Sequence, residues 1–241
     1  YSVIHEGGHA IYELNTGDDL IGTTMAGGAS MGIHESQSRF YENIIGRSEA
    51  FISLIFPKIK GLFPEQFENV TAHDFYLAVN KAEPSLIRTE ADELTYSMHI
   101  MVRYEIEKRL MDGSLSTKDL PNEWNRLYKE YLGIDVPCDS MGCLQDSHWS
   151  GGALGYFPSY SLGSAYGAQF LHKMKQDIDI DKLVSENRID EVTAWLTEKI
   201  HKYGMLLTPA QLIENACGEE FNADYYIEYL TEKYNKIYDL K

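Results

Sequence analysis

The sequence is short of basic residues: 21 Lys and Arg stand against 37 Asp and Glu among 241 residues, a formal net charge of −16. Nucleic-acid binding leans on clustered Lys and Arg, so the deficit argues against that partner. It argues equally against an anionic membrane surface. Long apolar runs are missing too; the best, Ala50 to Phe56, falls far below the ~20 residues that span a bilayer. Cysteine is scarce. Cys138, Cys143 and Cys217 form neither a disulfide framework nor a CxxC metal knuckle, and read as reduced thiols of a cytoplasmic protein. There is no internal repeat and no low-complexity stretch. An initiator Met is absent as well, since the chain opens on Tyr1 with residues that already read as helix interior. A missing signal peptide is therefore uninformative.

What is present suits a folded domain: 44% hydrophobic and 24% charged residues are ordinary globular values, and a chain of this length buries a core without staples. The expected fold is mainly α. Apolar periodicity marks residues 2–15, ended by Asn15-Thr16-Gly17. The Gly-, Thr- and Ser-rich stretch 17–33, with Gly27-Gly28 at its centre, reads as a loop or a small β element near residues 20–32. A helix is expected from Ser36 to Ile55, closed by Pro57, and another from a capping box at Thr71–Asp74 to about Lys81. The longest helical pattern runs from Pro84 to Leu110, before Asp112-Gly113. Residues 117–132 form an amphipathic helix, and 133–167 is a glycine-rich, ordered loop region. Helices return at about 164–176, 190–203, 208–216 and 222–238, the last with Asn222 as N-cap.

The chemistry is concentrated at the start. His5-Glu6-Gly7-Gly8-His9 matches HExxH. On a helix, positions i and i+4 share a face, so both imidazoles can point at one metal ion. Glu6 is then angled towards a water, not the metal. Two glycines inside a helix cost about 1 kcal/mol each relative to Ala, a cost that makes sense where a neighbouring backbone comes close. A third ligand is needed. Glu35, 26 residues after His9 and beyond the glycine-rich loop, gives the arrangement of two His and one Glu, with His34 as the competing ligand. Arg39 and Glu42 or Asn43 follow at i+4 and i+7 or i+8, where they can hold the ligand in place.

Several segments together resemble the thermostable carboxypeptidase (carboxypeptidase Taq) family: HEGGHAIYE, GIHESQSRFYENIIGRS, IRTEADELTY, QDSHW and GYFPSYSLG, in that order, with LLTPAQLIENACGEEFNADYYIEYL near the end. Ser159 stands where the family generally has Thr, and Ser164 where Asn is common. The resemblance implies a gluzincin-like, multi-helix metallopeptidase that removes single residues from peptide C-termini. Family members are roughly twice this long, so residues 1–241 are expected to be one catalytic region, the C-terminal half of a longer chain. It further implies His5, His9 and Glu35 as ligands of one divalent ion, zinc first and cobalt as the alternative, with Glu6 as the catalytic carboxylate. His148 and Tyr160, or Tyr156, are implied as oxyanion stabilisers.

An exopeptidase must also read a free carboxylate, for which the planar fork of Arg is suited. Arg88, Asp92, Tyr96 and His99 recur on one face of the expected helix, making Arg88 the carboxylate reader or its brace and His99 part of the same wall. Gln145 is the second choice, and Asp146 is expected to orient His148 or a neighbouring helix. The partners expected are peptides with a free C-terminus, with a homodimer as a further reading. The alternatives are an HExxH endopeptidase or dipeptidase, and a metal-binding but inactive helical fragment.

Overall fold

In a computed structural model, residues 1–240 are described, and all their regular structure is helical. Eleven α-helices follow one another among them: α1 (Ser2–Leu14), α2 (Met31–Arg39), α3 (Glu49–Leu62), α4 (Ala72–Val79), α5 (Glu93–Met111) and α6 (Leu120–Leu132). After an irregular stretch come α7 (Pro158–Asp177), α8 (Ile180–Ser185), α9 (Ile189–Lys199), α10 (Pro209–Cys217) and α11 (Asp224–Tyr238). The chain divides into two compact units, residues 1–80 with 162–241, and residues 81–161.

The first unit packs around Tyr12, Ile33, Phe40, Phe170, Met174 and Leu196, all fully buried. Its α1 and α2 touch backbone to backbone: a Cβ added at Gly8 would lie 2.7 Å from the Cα of Ser38. Gly8 is therefore the glycine that the close approach requires. Gly7 has open space around it. Ser30 caps α2 by accepting from the Ile33 N–H at 3.2 Å, and Thr71 and Asp74 form the expected capping box on α4.

Several expectations are corrected in this unit. The β element near 20–32 does not form. Asp18–Leu20 is a 3₁₀ turn, and Gly22 and Gly27 hold φ of +81° and +101°, values that break a strand. Single backbone bonds, Gly17 N–H to Lys202 O at 3.2 Å and Met205 N–H to Met25 O at 2.9 Å, tie the loop down without a ladder. The helix expected from Ser36 to Ile55 is three pieces. It starts earlier as α2, continues as a π-helical segment over Phe40–Ile45, and restarts at Ser48, the N-cap of α3. Pro57 lies inside α3 instead of closing it. A proline there removes one backbone bond, and both Pro57 and Ser53, whose carbonyl loses that bond, are on the exposed side. Asn222 is not the N-cap of α11, which is Ala223; its side chain accepts from the Asp224 N–H at 2.9 Å just ahead of the helix.

The second unit has α5 and α6 packed through Val102, Ile106, Trp124, Leu127 and Tyr128. The helix expected from Pro84 begins only at Glu93, because Asp92 caps it by accepting from the Thr95 N–H at 2.9 Å. Residues 88–90 form a separate 3₁₀ turn. Arg88 and Asp92 are thus off the helix, and the helical stripe that linked Arg88 to His99 does not exist. Gly133, with φ +73°, ends α6 where expected.

Candidate metal centre

Spacing on α1 sets the first two groups. His5 and His9 are four residues apart, and their ring centroids are 4.9 Å apart. Glu35 arrives from α2, which the Gly8–Ser38 approach holds against α1. A Cβ at Gly163 on α7 would come within 2.6 Å of the Glu35 side chain, so a glycine is needed there to seat it. Glu35 is 4% exposed. Its Oε2 lies 3.6 Å from His5 Nε2 and 3.6 Å from His9 Nε2, and one ligand atom from each of the three residues falls within 4.8 Å of the other two. Ligands at zinc distances in a tetrahedron are separated by about 3.4 Å. Two imidazoles and one carboxylate at this spacing therefore fit a four-coordinate divalent ion with one position open.

The surrounding groups hold the three in place. Arg39 donates Nε–H to Glu35 Oε1 at 2.9 Å, and Ser38 donates its hydroxyl to Glu35 Oε2 at 3.3 Å. His5 Nδ1 sits 2.9 Å from Glu42 Oε2. Glu42 belongs to the π-helical segment, and Arg39 and Arg47 lie at 3.5 and 3.8 Å from its carboxylate. Burial alone would raise the Glu42 carboxyl, but the His5 hydrogen bond and Arg39 outweigh it and keep it below the usual range. His9 Nδ1 is 2.8 Å from His34 Nδ1, and His34 Nε2 is 2.5 Å from Glu13 Oε1. Burial holds His9 below the usual imidazole range against the pull of Glu35. His34, the alternative third ligand by sequence, stands behind His9 with the two rings in contact, outside the group of three. Glu6 is exposed beside His5 on α1. Asn43 is buried.

The second unit collects the remaining candidates around Asp146. Arg88, 6% exposed, donates Nε–H and Nη2–H to Asp146 Oδ1 at 3.0 and 2.7 Å and Nη1–H to the Tyr96 hydroxyl at 3.0 Å. Its guanidinium lies 4.8 Å from the Tyr160 ring centroid. Arg103, which no sequence pattern marks, donates Nε–H to Asp146 Oδ2 at 2.7 Å from full burial. Burial would raise the Asp146 carboxyl, yet Arg103 and Arg88 hold it below the usual range. His148 Nδ1 faces Asp146 Oδ1 at 3.9 Å, and its Nε2 lies 3.0 Å from the Tyr160 hydroxyl. Burial, with Arg88 next, keeps the His148 imidazole below its usual range. Tyr156 packs edge-on to Tyr160 at 5.4 Å. Gln145 accepts from the Arg88 backbone N–H at 2.8 Å and donates to Leu86 O at 2.9 Å, pinning the turn that carries Arg88. His99 is fully buried, with Nδ1 3.1 Å from the Tyr128 hydroxyl.

No helix among the described residues is long and apolar enough to cross a membrane. A cavity of about 600 Å³ opens elsewhere in the first unit, beside Arg47, Glu49, Lys175, Tyr229 and Lys236; its mixed charges do not converge as His5, His9 and Glu35 do.

Comparison with known proteins identifies the family to which the sequence is similar. The family of carboxypeptidase Taq (M32) metallopeptidases matches residues 1–234. Carboxypeptidase 1 of Bacillus subtilis is 49% identical over 239 residues, 99% of this chain and 48% of its own length. Thermostable carboxypeptidase 1 of Pyrococcus furiosus is 44% identical over 234 residues, 97% of this chain and 47% of its own. Among solved structures, the M32 carboxypeptidase of Deinococcus radiodurans superposes with a TM-score of 0.96 at 40% identity, covering 99% of this chain and 48% of that one. Trypanosoma cruzi metallocarboxypeptidase 1 superposes with 0.93 at 39%, covering 97% and 49%. The chain spans about half the length of the curated relatives it matches.

Proposed function

The chain belongs to the carboxypeptidase Taq (M32) metallopeptidase family, and we propose that it hydrolyses peptides from a free C-terminus, one residue at a time. His5, His9 and Glu35 hold one divalent ion in this reading, and their convergence within 4.8 Å is the observation that carries it. Nitrogen and carboxylate ligands suit zinc first and cobalt second. The ion supplies Lewis acidity, which makes a water acidic near neutral pH and polarises a carbonyl.

The chain's own residues supply the rest. Glu6 takes the proton of the attacking water and returns it to the leaving amine. Arg39 and Ser38 keep Glu35 aimed, and Glu42 fixes the His5 ring. Tyr160 donates its hydroxyl to the developing oxyanion and His148 supports it through Nε2–H at 3.0 Å, with Asp146 3.9 Å from the other nitrogen of that ring. Arg88 reads the substrate carboxylate through the donors that Asp146 and Tyr96 leave it, or braces the group that does, with Tyr156 beside it. Gln145 and His99 act behind this cluster: the first pins the turn of Arg88, and the second is fully buried.

The test is zinc content measured beside release of the terminal residue from peptides with free and amidated C-termini. Stoichiometric zinc with cleavage of the free peptide alone is expected. Equal cleavage of both would make the chain an endopeptidase, and zinc without cleavage would make it a metal-binding module. Glu6→Gln should keep zinc and lose turnover by about 10²-fold or more; normal turnover would remove Glu6 from the role of base.

A further inference from the structure

The Gly27-Gly28 loop, which forms no strand, has a tight fit of its own. A Cβ at Gly28 would overlap the His34 ring and come to 2.8 Å from the Tyr12 ring. Gly27, at φ +101°, brings its backbone to the Glu13 carboxylate, where an added Cβ would lie 3.4 Å from Oε2. The Gly28 N–H donates to Glu13 Oε1 at 3.2 Å. The loop thus closes over a pair, His34 and Glu13, whose nitrogen and oxygen stand 2.5 Å apart. His34 reaches in the other direction to His9, with the two Nδ1 atoms 2.8 Å apart.

That nitrogen-to-nitrogen contact has a direction. A neutral imidazole that binds a cation through Nε2 carries its proton on Nδ1. His9 must then donate, and His34 must accept at Nδ1. Only one tautomer of His34 does so, the one protonated at Nε2, and Glu13 Oε1 is placed to accept that N–H. A doubly protonated His34 would set two N–H groups against each other at 2.8 Å. His5 meets its carboxylate, Glu42, directly; His9 meets Glu13 only through a second imidazole.

We propose that Glu13 and His34, clasped by the Gly27-Gly28 loop, are positioning residues that fix the tautomer and orientation of His9. The proposal rests on the reading of His5, His9 and Glu35 as a metal site. Glu13 and His34 touch neither substrate nor ion; they act through His9.

The test uses the full 241-residue chain. Glu13→Ala is expected to weaken zinc binding about ten-fold or more, measured by competition with a chromophoric chelator. Glu13→Gln, which keeps an acceptor for the His34 N–H, should recover most of that loss. Because the Glu13 side chain is half exposed, the variant should fold, which circular dichroism checks. Nitrogen-15 spectra of the zinc-loaded protein should show His34 protonated at Nε2 in the parent and a mixture of tautomers in Glu13→Ala. His34→Leu should weaken zinc binding at least as much. Zinc affinity of Glu13→Ala within about two-fold of the parent, or His34 protonated at Nδ1, would overturn the role of the pair and leave the metal site standing. A parent chain that binds no zinc would overturn the metal site, and the pair's role with it.

Discussion

Gly8 faces Ser38 across the junction of α1 and α2 with no room for a side chain: a Cβ would come to 2.7 Å from the Ser38 Cα and 2.8 Å from the Gln37 carbonyl oxygen. The same junction brings His5 and His9 to Glu35. Gly7, one residue earlier, has nothing within 4 Å of where its Cβ would be. The adjacent glycines of HExxH therefore have opposite requirements.

Alanine substitution should separate them. Gly8→Ala has to push two backbones apart, at about 1–3 kcal/mol for overpacking of this kind, and, if His5, His9 and Glu35 hold the ion, should weaken zinc binding because the helices that carry them move. Gly7→Ala should stabilise the chain by up to about 1 kcal/mol, since the helix gains a better helix former at no steric cost. Thermal unfolding of the two variants beside the parent checks this, and a lowered midpoint for Gly7→Ala would contradict it.

His201 should make stability depend on pH. It is fully buried, with Nε2 2.8 Å from Gln37 Oε1, and burial, aided by His34, brings its pKa down to about 3. The unfolded chain protonates this residue near 6.5 while the folded chain does not. Its contribution is therefore full above pH 6.5 and falls by about 1.4 kcal/mol per pH unit from 6.5 towards 3, beside a like contribution from buried His99, also brought down to about 3. His201→Gln should lose that slope even if it costs stability at neutral pH. Urea unfolding at pH 7, 6 and 5 measures it; an unchanged slope would show that another group carries the linkage.

Asp146 is the opposite kind of group, a carboxylate held by two buried guanidiniums. Removing its charge leaves Arg88 and Arg103 uncompensated, which costs about 3–5 kcal/mol for a buried pair. Its depressed carboxyl contributes fully above the unfolded value of 3.8 and loses that contribution as pH falls through the lower folded value. The stability difference between the parent and Asp146→Asn should be constant from pH 5 to 7 and narrow below 3.8. A difference of under about 1 kcal/mol at pH 7 would mean that water already satisfies the two arginines.

What the sequence disclosed follows from what repeats along a helix. The i, i+4 spacing of His5 and His9 and the capping box at Thr71 are local, and both appear as read. Glu35 and Arg39 could be placed because they lie on one helix four residues apart. Features that depend on distant groups were not legible. The π-helical turn that carries Glu42 to His5 has no periodic signature. Arg88 reads as helical by pattern, but the Asp92 cap starts α5 later and Gln145 holds Arg88 in a turn. The glycines near residue 27 suggested a β element, whereas they serve the closeness of the loop to Glu13 and His34. Arg103 gave no warning, since an Arg in a helix is usually solvated, and its burial needs the Asp146 that comes 43 residues later.

Tyr160 offers the clearest separation of chemistry from scaffolding. Its hydroxyl is 3.0 Å from His148 Nε2, while its ring supports the Arg88 guanidinium at 4.8 Å. Tyr160→Phe keeps the ring, and so keeps the packing and the place of Arg88. It removes only the hydroxyl. If that group donates to the oxyanion, turnover should fall by about 10²–10³-fold with little change in KM, the pattern for an interaction made mainly in the transition state. If Arg88 reads the substrate carboxylate, Arg88→Lys should do the reverse. Lysine lacks the fork that meets Asp146 and a carboxylate together, so KM for free-C-terminus peptides should rise more than kcat falls. Steady-state kinetics of both variants on one peptide give the comparison. A Tyr160→Phe variant with the parent's kcat would place the hydroxyl in the scaffold, serving to hold the His148 ring and nothing more.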